Sequence, residues 1–250
     1  MNYKIIPLAA IPLLAAASVS HADALGFSIG ANVWQQSFEG TVLSSSDESN
    51  TIDLEDDLDY GDENSTNFYI AFEHPIPILP NIRLAQTEIE VDEATQFNRA
   101  ISFEGTSYAV NEPITSTSDL SHTDATLYYE VLDNWISLDL GLTARVFSEG
   151  FEVSSNSTSS DFDLDETLPM VYLAVKVELP LTGLYAGANG NFISYDGSSV
   201  TDYSINLGYE TELGLGVEAG FRSFDIDYDD DDEVADITID GSYIGLFYHF

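Results

Sequence analysis

The chain has no cysteine, so it carries neither a disulfide framework nor a thiolate metal site. Basic residues are almost as scarce. Six Lys and Arg stand against 44 Asp and Glu, giving a formal net charge of −38. A nucleic-acid partner is excluded, because such a surface repels phosphate. Beyond residue 22 no stretch approaches the roughly 20 consecutive apolar residues of a membrane-spanning helix. So acidic a chain would read as disordered if it were poor in aromatics. Here 12% of the residues are aromatic, and apolar residues recur in regular patches. The charge must therefore be segregated from the folded part.

What is present begins with an export signal. Residues 1–22 combine Lys4, an apolar centre from Ile5 to Ala17, and the small-x-small ending Ser20-His21-Ala22. This reads as a secretory signal peptide cleaved after Ala22. The domain expected to fold is 23–250.

Period-two alternation then recurs in pieces of about 10 residues. In the clearest, Ile136, Leu138, Leu140, Leu142, Ala144 and Val146 share one face, opposite Ser137, Asp139, Gly141, Thr143 and Arg145. Val171 to Leu179, Tyr203 to Tyr209 and Leu213 to Arg222 follow the same rule. Weaker pieces are Gly26 to Ser37, Asn67 to His74, Ile82 to Asp92, Leu120 to Val131, Leu184 to Ser194 and Ile237 to Phe250. These make about ten strands. Eight or twelve stay open, since Ala100 to Val110 offers a further extended piece. Short connections (74–81, 132–134, 180–182, 210–212) alternate with long polar ones (38–66, 93–119, 148–168, 225–236), and a shorter polar one lies near 196–201. Short turns at one rim and long loops at the other predict an all-β, closed, antiparallel, up-and-down transmembrane barrel. Both termini would lie at the short-turn, periplasmic side. A secreted β-sandwich also alternates. The cleanness of the apolar faces and the apolar strand running to Phe250 favour the barrel.

The signal peptide, the alternating strands and the aromatic last strand resemble the small outer-membrane β-barrels of Gram-negative bacteria. More narrowly, Gly26, Gly30 and Trp34, followed by Gly40, resemble a proteobacterial outer-membrane family of unassigned function. The resemblance implies an integral outer-membrane location, with lipid and lipopolysaccharide as surroundings. It also implies that Leu246, Tyr248 and Phe250 form a terminal signal read by the barrel-assembly machinery. It supplies no catalytic residues.

Arg145, Lys176 and Arg222 fall on polar, lumen-facing strand sides, as do Asp139, Glu178 and Glu218. A barrel of this size is filled by its own side chains, and unpaired buried charge is costly. Lumen ion pairs forming a structural plug are expected. A narrow cation-preferring passage is the alternative. The acidic run Asp227, Asp229, Asp231 and Asp232 mimics the first ligands of a calcium loop but lacks its glycine and its correctly spaced glutamate. A solvated loop and weak Ca²⁺ or Mg²⁺ binding are the two readings, with no cofactor otherwise expected. Aromatic residues near strand ends, among them Trp34, Trp135, Phe147, Tyr203, Phe221, Phe224 and Tyr248, suit interfacial girdles.

Catalysis has one candidate. His122 sits between Asp119 and Asp124, and a His beside carboxylates can act as a general base. This would make an outer-rim hydrolase of the omptin kind. No second carboxylate pair or Ser/His pair accompanies it. The chain is therefore read as a non-enzymatic barrel with acidic surface loops and a structural, envelope-stabilising or surface-binding role. The pore and the rim hydrolase remain as alternatives.

Overall fold

The structure is a computed structural model describing residues 25–44, 47–164, 166–230 and 233–250. The signal segment 1–22 and the two carboxylates Asp231 and Asp232 lie outside the described residues. Ten strands form the barrel: β1 Gly26–Ser44, β2 Glu63–Glu73, β3 Asn81–Thr87, β4 His122–Leu132, β5 Ile136–Phe147, β6 Thr167–Glu178, β7 Leu184–Tyr195, β8 Ser198–Glu210, β9 Leu215–Asp230 and β10 Glu233–His249. Each pairs antiparallel with its sequence neighbour, and β10 returns to pair with β1 from Ser28↔His249 to Ser44↔Glu233. Where all ten strands pair, closure leaves no open edge, so backbone hydrogen bonding is satisfied all round that part of the wall.

The ten alternating segments read from the sequence each contribute a strand to this wall, except that Ile82 to Asp92 is split: the wall strand ends at Thr87, and residues from Glu90 on belong to another sheet. Near the short-turn end the apolar partners point outward. Ile29, Val33, Leu140, Leu142, Leu173, Ile205, Leu207 and Leu246 are all exposed. A continuous apolar band on this scale is a liability in water and a requirement in hydrocarbon. The inward side is polar, with glycines where rings lie flat against the wall. A Cβ on Gly216 would come within 2.0 Å of the Phe247 ring, and one on Gly208 within 2.2 Å of Tyr185.

Towards the long-loop end the alternation reverses phase. On β1 the outward apolar row of Ile29 and Val33 gives way to inward Phe38 and Val42, with Glu39 exposed. On β9, Phe224 and Ile226 turn inward, while Asp227 and Asp229 are exposed. On β10, Ile237 and Ile239 are buried and Asp236 is exposed. The wall formed by β1, β8, β9 and β10 thus continues past the apolar band, acidic outside and apolar inside. This corrects the sequence assignment of 225–236 to a long loop. β9 runs to Asp230 and β10 starts at Glu233, because alternating inward apolar residues give the acidic strands a core to cover.

The other long connections are also folded in good part. Residues Glu90–Gln96, Pro113–Asp119, Gly150–Ser155 and Ser159–Asp163 form a separate four-stranded antiparallel sheet, and Ile101–Phe103 pairs with Thr106–Tyr108. A short 3₁₀ turn at Glu48–Asn50 precedes Ile52–Asp53. Their apolar residues (Ile52, Leu58, Phe97, Ile101, Tyr108, Val153) join Trp34, Phe38, Phe147, Phe224 and Ile239 in one buried cluster capping the barrel. Arg99 fixes part of this cap. It donates to both carboxylate oxygens of Asp57 at 2.5 and 2.9 Å, and to the Thr51 carbonyl. Trp34, Phe147 and Phe224 therefore belong to the core rather than to an interfacial girdle. Trp135, Tyr203, Phe221 and Tyr248 are outward-facing and exposed.

Candidate functional site

The level at which the alternation reverses is where the lumen is most highly organised. Arg145 on β5 lies directly across from Asp124 on β4. It donates through Nε to Asp124 Oδ1 at 2.8 Å, and through Nη2 to Asp124 Oδ2 at 2.7 Å and Asp202 Oδ2 at 2.6 Å. Asp202 on β8 accepts in turn from Arg222 on β9, through Nε at 2.8 Å and Nη2 at 2.7 Å. Arg222 also reaches Thr87 on β3 at 3.3 Å and stacks over the Trp34 ring at 4.8 Å. Five strands are tied across the lumen by two guanidinium groups and two carboxylates. Arg145 is 0% exposed. Charges so deeply buried are tolerated only when paired and hydrogen-bonded. The forked guanidinium suits this role, since it meets one carboxylate with two parallel bonds.

Above this lattice lies His122. It is 2% exposed, and its ring packs against Phe147 at 5.2 Å and Phe224 at 5.5 Å. Nδ1 is 2.9 Å from the Leu120 carbonyl, and Nε2 has no hydrogen-bond partner. His122, Asp124 and Asp202 can present ligand atoms within 4.8 Å of one another. A cation there would compete with Arg145 and Arg222, which already occupy both carboxylates. As a base, His122 is sealed beneath the apolar cap instead of lying on the rim. Asp119 does not join it, and its Oδ1 accepts from the Ser121 backbone N–H at 2.9 Å.

Below the lattice a polar cavity of about 90 Å³ is lined by Asn67, Arg83, Thr126, Asn191 and Glu218, among others. That is room for a few waters, at roughly 30 Å³ each. Arg83, not recognised in the sequence, faces inward here and stacks on Tyr69 at 3.8 Å.

The other lumen candidates separate. Lys176 Nζ is 2.7 Å from Glu178 and 3.7 Å from Glu210, close to the short-turn rim. Glu218 instead accepts from Asn206 at 2.6 Å and Tyr185 at 3.1 Å. Asp139 keeps one buried carboxylate oxygen without a hydrogen-bond partner. Among the described residues neither Asp139 nor Glu218 joins an ion pair, because Lys176 is held at the rim by Glu178 and Glu210. Of the carboxylates that do pair, Asp124 stands in the sequence only beside His122, Glu210 falls in a predicted turn, and Asp202 is not singled out at all. It sits at the start of an alternating run, next to a polar turn, and so reads as loop. Asp227 and Asp229 lie on extended β9, where same-face residues are roughly 6.6 Å apart. Their backbone is straight and does not wrap as a calcium loop does. Leu246, Tyr248 and Phe250 line the outer face of the closing strand. Tyr248 and Phe250 rings stack at 5.2 Å, and Phe250 exchanges backbone hydrogen bonds with Phe27 at 2.9 Å.

A closed ten-stranded antiparallel barrel with an apolar outer band and a polar, ion-paired lumen is an outer-membrane-type β-barrel. No family model matches the chain, and no curated protein matches it. Among solved structures it is similar to the outer membrane protease OmpT from Escherichia coli, at 12% identity and a TM-score of 0.56, over 93% of this chain and 99% of that one. It also aligns with the translocator domain of autotransporter NalP from Neisseria meningitidis, at 10% identity and a TM-score of 0.41, over 90% and 88% of the two chains. The likeness to OmpT is one of fold.

Proposed function

We propose that the protein is a closed, non-enzymatic barrel of the Gram-negative outer membrane that presents a folded acidic cap at the cell surface. The observation that carries this reading is the lattice of Asp124, Arg145, Asp202 and Arg222, which spans the lumen beneath an apolar core. An ion following the axis would have to break buried charge pairs and then pass the packed apolar side chains of Trp34, Phe147 and Phe224. Both barriers favour a structural plug over a passage. The burial of His122 under Phe147 and Phe224 favours a packing role for that ring over general-base chemistry. The short-turn end, with both strand termini, is assigned to the periplasm by the usual layout of such barrels. Lipid and lipopolysaccharide then surround the apolar band, and the Leu246, Tyr248 and Phe250 face serves barrel assembly.

Planar-bilayer recording tests the plug. The refolded protein should insert without steady single-channel steps in 1 M KCl. A sustained, reproducible open-channel current would overturn the reading.

A further inference from the structure

We propose that the long-loop end of the barrel binds a hydrophobic cation, a small molecule with an apolar body and a positively charged head. This goes beyond the closed-barrel reading and does not depend on it. The inference starts from an open-mouthed cavity of about 650 Å³ between the upper walls of β1, β8, β9 and β10 and the folded connections. Cavities that take small organic molecules fall in this size range and are mostly apolar. Its walls are supplied by Leu120, Phe147, Leu168, Val200 and Ile237. An apolar volume this large has no structural purpose in a core that is otherwise closely packed, where each void forfeits dispersion contacts.

The second observation is the charge around it. Glu104, Glu166 and Glu233 line the same cavity, and among the described residues no Lys, Arg or His does. A fatty acid or a phosphate-bearing lipid would bring its anion against carboxylates with no counter-charge. A quaternary or primary ammonium meets the opposite situation. Its alkyl or aryl body fills the apolar walls, while its head lies among fixed negative charges in a partly desolvated mouth, where their attraction is stronger than in open water. Because the surrounding surface is also strongly acidic, cations are concentrated at this end and anions are depleted.

The test uses the full-length barrel in lipid nanodiscs and calorimetry with three probes of equal chain length, octyltrimethylammonium, 1-octanol and octanoate, with empty nanodiscs subtracted. Octyltrimethylammonium should bind saturably and roughly five- to tenfold more tightly than octanol, the scale of one solvent-screened charge contact. Octanoate should not bind. Ala235→Trp and Val200→Trp, which place bulk in the cavity, should abolish binding of both successful probes. The double variant Glu104→Gln, Glu233→Gln should lower the affinity for the cation to that of octanol and leave octanol unchanged. Should a Trp variant lose the heat-modifiable gel mobility of a folded barrel, the rim variant still decides, since Glu104 is exposed and Glu233 only half-buried. A flat isotherm with all three probes overturns the proposal. So does octanoate or octanol binding as tightly as the cation, or a rim variant with undiminished cation affinity. Loss of the plug would appear as current and loss of this site as a flat isotherm, so the two readings fail separately.

Discussion

The two halves of this barrel obey opposite rules along the same strands. Near the short turns the wall is apolar outside and polar inside. Near the long loops it is acidic outside and apolar inside. Among the strands that run through both, the backbone pairing does not change. β1 and β10 keep one antiparallel register from Ser28↔His249 to Ser44↔Glu233. Only the phase of the side chains reverses, and it does so at the level of the Asp124, Arg145, Asp202 and Arg222 lattice. The solvent explains this. In hydrocarbon the apolar face must look outward, and the small lumen must satisfy its polar groups internally. Once the wall emerges into water, the inside becomes the only place to hide apolar surface, and folded connections fill it. The ionic lattice is the joint between the two regimes, with a polar lumen beneath it and the apolar cap above.

If the lattice is the joint, removing one of its charges should have the largest effect of any single change. Arg145→Met leaves Asp124 without its guanidinium and Asp202 with one partner instead of two. Breaking a buried pair on one side costs about 3–5 kcal/mol, and that loss is expected in urea unfolding from lipid vesicles. The double variant Arg145→Met, Asp124→Asn should recover part of it, because no uncompensated carboxylate remains at that site. A loss below about 1 kcal/mol, the scale of an exposed pair, would remove the lattice from its place as the joint.

The boundary between the halves can be located by one substitution placed at two heights. Leu207 is 70% exposed on the outward face of β8. Leu207→Arg should cost about 2–4 kcal/mol, as a cation on the lipid face near the bilayer midplane does. Glu39→Arg, outward on β1 beyond the reversal, should lie within about 0.5 kcal/mol of wild type, as exposed surface changes usually do. Equal costs at the two positions would mean that the apolar band does not end where the phase reverses.

This comparison also explains what could be read from the sequence. The lower half was legible because its signal is simple. Leu138, Leu140 and Leu142, or Ile205 and Leu207, repeat on one face with small or polar residues between. The upper half carries the same period with inverted meaning. Phe224 and Ile226 alternate with Asp225, Asp227 and Asp229, but the density of aspartate reads as a solvated loop. Trp34, Phe147 and Phe224 look like girdle residues when the continuation of the wall beyond them goes unnoticed. Asp202 was lost at the same boundary, although its spacing from Tyr203 and Ser204 places it inward. Arg83 was readable by parity, since Ile82 and Leu84 face outward on either side of it. Arg99 was not, because its partner Asp57 lies in a different connection and no local pattern links them. The cavity is equally illegible. It arises where separate connections meet the upper wall, and no single segment encodes its volume.

The smallest expected effect tests whether the cap is a genuine folded extension of the barrel or a set of independent loops. Arg99 is the clearest tie between two connections, joining Asp57 and the Thr51 carbonyl. Its side chain is 37% exposed and that of Asp57 only 4%, so solvent screens the pair from one side and the contribution is discounted to about 1 kcal/mol. Arg99→Ala should therefore leave global unfolding almost unmoved. Locally it frees the Asp57 carboxylate inside a turn whose Leu54, Leu58 and Tyr60 are buried. The expected outcome is faster proteolytic cleavage between residues 50 and 62, with cleavage in the 150–163 hairpin unchanged. If both segments become sensitive together, the cap unfolds as one unit and its cohesion comes from the shared apolar core. If neither does, that core holds the 50–62 turn in place without the Arg99 tie.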